Sequence, residues 1–159
     1  MTCVCDTLEL RRISEAKAKA VRADIVFADL KNLKSETFDA VLADLSFVDP
    51  ADIDGVIDNL SFVAKKGAEV SFFVATSGSF GEIFSYLWET FIGVELIERS
   101  GEIETLIGEI PTVSRLEQIA TESGIGDVLT ETALEIFEYE SGKEFVDSPL
   151  LEDFLFPRW

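Results

Sequence analysis

Between Phe38 and Val74 the pattern of apolar and polar positions changes period twice. Phe38–Ala43 is a run of apolar and β-branched residues that fits a buried strand, and Asp44 ends it. A loop runs to Pro50. Ala51–Lys65 is a candidate helix, with Asp52 a candidate cap, and Lys66-Gly67 ends it. Ala68–Ala75 then predicts a second buried strand. Strand, helix and strand in this span form a βαβ unit with a right-handed crossover. Ligands of open sheets built this way lie at the carboxyl ends of the strands, which here means Asp44–Asp49 and Thr76–Phe80.

The chain before this unit repeats the pattern. Thr2–Cys5 is a short strand ending at Asp6, and Leu8–Val21 is a helix with Thr7 as N-cap. Asp24–Ala28 is a strand ending at Asp29, and Lys31–Thr37 is a polar connection. Strand, helix, strand, strand, helix, strand predicts an α/β domain with a mainly parallel sheet.

After Ala75, TSGSFG is a turn, and Ser79–Phe91 is a helix with Ile83, Phe84, Leu87, Trp88 and Phe91 on one broad face. Glu102–Pro111 reads as a connection or short extended piece. A helix from Thr112 to about Ser123 follows, with Gly124 placed to stop it. Asp127–Tyr139 alternates well enough to predict a long strand, antiparallel at a sheet edge. Ser141–Phe156 predicts a last helix with a break near Pro149. There is no repeat, low-complexity tract or linker, so one domain is expected over residues 1–159.

Composition narrows the function classes. With 47% hydrophobic residues in 159, the chain has the material for a core. No apolar run approaches the roughly 20 residues of a membrane span, and the N-terminus lacks signal-peptide features. A cytoplasmic protein is expected. The net charge of -18 repels phosphate backbones and argues against nonspecific nucleic-acid binding. It suits solubility, cationic partners or a salty habitat. Histidine is absent, which removes Ser-His-Asp and Cys-His chemistry. Cys3 and Cys5 alternate along a strand and so share a face. They read as small buried apolar residues; without histidine a C-x-C pair is a poor metal site, and it is badly placed for a disulfide.

The ordered segments resemble a class I S-adenosylmethionine-dependent methyltransferase from its second strand onward. CVCDTLELRRISEAKAKA is similar to the family's second strand, terminal acid and helix. IVFADLKNL resembles its third strand, and FDAVLADLSF its fourth. FVAKKGAEVSFFVA is similar to the helix, glycine turn and fifth strand, with Ala68 where the turn usually has a second glycine. PTVSRLEQIATESGIGDVLTE resembles the late helix, turn and next strand. The family's first strand and Gly-rich loop have no equivalent here.

The resemblance implies a Rossmann-like methyltransferase fold, a mostly parallel sheet with helices on both faces, incomplete at the N-terminus. It implies S-adenosylmethionine as cofactor. Asp6 would accept from the ribose hydroxyls, Asp29 from the adenine amino group, and Leu30 would pack on the ring. Asp44 would act as base or orienter, and Leu45, Ser46, Phe47 and Phe80 would line the substrate pocket. The implied function is a methyltransferase or a truncated fragment of one, on an unknown substrate. The alternative is a noncatalytic methyltransferase-like interaction domain. An open sheet edge predicts a homodimer or a partner covering it.

Overall fold

The computed structural model describes residues 1–134 and 136–155. The fold is mixed α/β, and its first six elements follow the predicted order. They are β1 (Thr2–Val4), α1 (Leu8–Ala20), β2 (Val26–Ala28), β3 (Phe38–Asp44), α2 (Ile53–Val63) and β4 (Ala64–Phe73). Helices α3 (Gly81–Gly93), α4 (Ser100–Glu109), α5 (Val113–Glu122) and α6 (Gly142–Val146) come next. The strands form two parallel pairs, β1–β2 and β3–β4, each a two-stranded sheet among the described residues. The chain divides into two compact units. One comprises Met1–Val41 and Phe62–Glu69; the other comprises Leu42–Ser61 and the chain from Val70 onward.

In the first unit, α1 starts where Thr7 Oγ1 accepts from the Leu10 backbone N–H at 3.1 Å. Glu9 in the first turn and Lys17 and Lys19 in the last suit the helix dipole. The helix ends in a Schellman turn: Ala23 N–H donates to Ala18 O at 2.9 Å, with Arg22 in the left-handed region at φ 56°. Strands β1 and β2 pair with Thr2 opposite Val26, Cys3 opposite Phe27 and Val4 opposite Ala28. The inward side of α1 carries Arg11, Ser14 and the buried Ala18, whereas Leu8, Leu10 and Ile13 are exposed. Small residues at one-turn spacing let the helix approach a three-residue ribbon that offers little apolar surface.

The second unit holds most of the core. Leu45, Ile53, Ile57, Leu116 and Ile119 form one buried cluster, where α2 meets α5. The spacing of Ile53, Ile57 and Leu60 aligns them on one face of α2, and Ile57 is 0% exposed. Asp49, rather than Asp52, caps this segment: its Oδ1 accepts from Ala51 N–H at 2.9 Å and starts a short 3-10 turn over Pro50–Asp52. Ser61 Oγ donates to Ser123 O at 2.6 Å, tying α2 to the end of α5. As expected, Gly124 stops α5, with φ +86°, and Ile125 N–H returns to Ala120 O at 3.0 Å. A second cluster joins Phe84, Ile103 and Ile110.

Several segments depart from the sequence expectation. Residues 102–109 are helical, not extended. Ile103, Leu106, Ile107 and Ile110 recur at helical spacing, and burial of Ile103 and Ile110 offsets the cost of Gly101 and Gly108. The described residues of 127–139 form no strand. Leu129 and Leu134 are 85% and 88% exposed, so alternation there lacks both a ladder partner and a core to face. The α2–β4 boundary falls at Ala64, and Gly67, at φ 77°, lies within the strand. The last helix is short; beyond Pro149 the backbone makes a π-helical segment over Leu150–Leu155. The predictions that touch Glu135 and Phe156 lie outside the described residues.

Candidate functional site

In the first unit, the parallel register ends β1 at Val4 and β2 at Ala28, directly opposite each other. Asp6 and Asp29 follow within two residues of those ends, so two exposed carboxylates lie beyond the same end of one ribbon. Paired parallel strands lie about 4.8 Å apart. Asp29 is already engaged. Its Oδ2 accepts from Asn32 Nδ2 at 3.2 Å, and its Oδ1 is 3.5 Å from Arg11 Nη1. Leu30, half-buried, opens a short 3-10 turn over Leu30–Asn32.

Arg11 is the residue that sequence reasoning passed over. From α1 it reaches Glu15 Oε1 at 3.0 Å, Asp29, and the Phe27 carbonyl at 3.4 Å. Its guanidinium therefore positions the Asp29 carboxylate. The readable signal was its place on the face shared with Ser14 and Ala18. Its own pKa is raised, first by the hydrogen bond to Glu15.

The second unit carries the remaining candidates. Asp44 is exposed at the end of β3, and its Oδ1 accepts from the Ser46 backbone N–H at 3.0 Å. That bond folds the loop into an Asx turn and fixes the carboxylate on its own backbone. Leu45 is 3% exposed and belongs to the core, its N–H bonded to Phe73 O at 2.7 Å. Ser46 is half-buried, and Phe47 is exposed. Phe80 precedes α3 with φ 64°, a rare conformation for a bulky residue, and packs against the Phe84 and Leu150 clusters.

A cavity of ≈ 470 Å³ opens in the same unit, between the start of α2 and the α4–α5 junction. Asp54, Glu109 and Arg115 are its charged walls, and Arg115 Nη2 meets Asp54 Oδ2 at 2.7 Å. None of Asp44, Leu45, Ser46, Phe47 and Phe80 lines it. A cavity of ≈ 450 Å³ in the first unit is lined by Cys3, Ala18, Ile25 and Phe27 among others, but not by Asp6 or Asp29. Burial raises the Cys3 pKa, helped by its hydrogen bond and proximity to Cys5.

Among the described residues no group of three or more Cys, Asp or Glu is placed to hold a metal ion. Among them, too, no helix is long and apolar enough to cross a membrane. No family model, curated protein or solved structure matches this chain.

Proposed function

We propose that the end of the β1–β2 ribbon binds the nucleoside part of S-adenosylmethionine, in a cytoplasmic methyltransferase of Rossmann-like fold or a fragment of one. The observation that supports this reading is the β1–β2 register, which brings Asp6 and Asp29 to the same strand end. An ionised carboxylate only accepts hydrogen bonds, which matches ribose hydroxyls at Asp6 and an adenine amino group at Asp29. Leu30 supplies apolar surface for the ring. Asp44, held by the Ser46 N–H, serves as base or orienter for the methyl acceptor.

Calorimetry with S-adenosylmethionine tests this reading. Binding is expected, and Asp6→Ala should weaken it by about 10- to 100-fold, the loss of a charge-assisted hydrogen bond. Absence of heat at millimolar ligand would refute it. A second reading, a noncatalytic interaction domain of the same fold, draws support from one observation: the cavities of ≈ 470 and ≈ 450 Å³ are both lined by residues other than the candidate carboxylates. In that reading a second copy or another protein pairs with an open edge of the two-stranded sheets. An unchanged isotherm for Asp6→Ala favours it.

A further inference from the structure

We propose that the cavity between α1 and the β1–β2 ribbon binds a small apolar carboxylate, with its hydrocarbon against the walls and its anionic group at Lys17. The cavity holds ≈ 450 Å³, within the range of about 300–1,000 Å³ for small-molecule sites. Cys3 and Phe27 of the paired strands and Ala18 and Val21 of α1 give it apolar walls. The space follows from how α1 packs. Ala18 is the buried residue of the helix, whereas Leu8, Leu10 and Ile13 are exposed, so a methyl group stands where a larger side chain would fill the gap. Val21 is 74% exposed where α1 ends, which leaves an apolar rim in water. The hydrocarbon of a ligand would remove that surface from water.

The charge pattern selects an acid. Among the described residues that line the cavity, Lys17 alone is charged. One turn to either side of it on α1 stand Ile13, Ser14, Ala20 and Val21, none of them acidic. Among the described residues no ion pair engages Lys17, in contrast to Arg11, which Glu15 and Asp29 hold. Cys3 adds no anion to the wall. Burial raises its pKa, helped by Cys5, so the thiol stays protonated at neutral pH. Val21 follows α1 and Ile25 precedes β2, so the site lies toward the strand starts. Asp6 and Asp29 follow the strand ends, which keeps this site separate from the one proposed for the nucleoside.

The test is calorimetric titration of the full chain with butanoate, hexanoate and octanoate, and with octanol as the uncharged control. Affinity should rise by up to about fourfold for each added methylene. Lys17→Met keeps an apolar stem and removes the charge. It should weaken octanoate about tenfold, the loss of a hydrogen bond to a charged group, and leave octanol unchanged. Ala20→Leu fills part of the exposed rim and should weaken both ligands. Circular dichroism of both variants separates loss of the site from loss of the fold. Amide chemical-shift mapping should place octanoate at Lys17–Val21 and Ile25–Phe27. Absence of saturable octanoate binding, a flat series from butanoate to octanoate, or equal loss of octanoate and octanol in Lys17→Met overturns the site. Shifts spread over the exposed Leu8, Leu10 and Ile13 also overturn it. So does a dimer that octanoate dissociates, seen by light scattering, because a side chain of a second copy is then the occupant.

Discussion

Asp29 illustrates how the surroundings of one residue hold it in place. Its position after β2 leaves it exposed at a strand end, while Arg11 and Asn32 hold its two oxygens. The acid was legible in the sequence because strand patterns end abruptly at Asp. Arg11 was not, because its pairing depends on which face of α1 turns inward. Backbone conformation is a second residue-scale effect. Helices α1, α3 and α5 all end with a left-handed residue, namely Arg22, Glu95 and Gly124. Only glycine adopts that region without strain. Gly124→Ala should therefore destabilise the fold by about 1 kcal/mol. The cause is backbone strain, since an added Cβ would meet nothing closer than Ser61 Oγ at 3.9 Å. Chemical denaturation of both proteins measures the difference.

Helix α2 shows what an element needs in order to be read correctly. Ile53, Ile57 and Leu60 keep helical spacing, and all three are buried. Full burial of one such side chain is worth about 1.5–3 kcal/mol. Ile57→Ala should cost about 2–5 kcal/mol, the range for emptying a packed site, and a lowered denaturation midpoint would register it. Helix α4 was hidden because Gly101 and Gly108 weaken its local signal, and its burial against Phe84 is a tertiary effect. The opposite error arose at 127–139. Its alternation resembles a strand, yet every described residue from Gly126 to Glu138 is exposed. Period alone does not make a strand; a neighbouring ladder and a face to bury are also required.

Across the whole molecule, charge and topology bear on the ligand in opposite ways. The net charge of -18 disfavours polyanions but leaves a cationic sulfonium unhindered. The β1–α1–β2 unit follows the expected order, and the two proposed nucleoside contacts, Asp6 and Asp29, come just after its strands. The proposed substrate side was less legible. Leu45, expected at a pocket, is a core residue, because an apolar side chain after β3 serves the α2–α5 cluster. Amide chemical-shift mapping of the isotopically labelled chain with S-adenosylmethionine tests the central claim most directly. The account predicts saturable shifts concentrated at Asp6–Leu8 and Asp29–Asn32, lost in Asp6→Ala. Absence of shifts at millimolar ligand, or shifts confined to the cavity walls around Asp54 and Arg115, would contradict it.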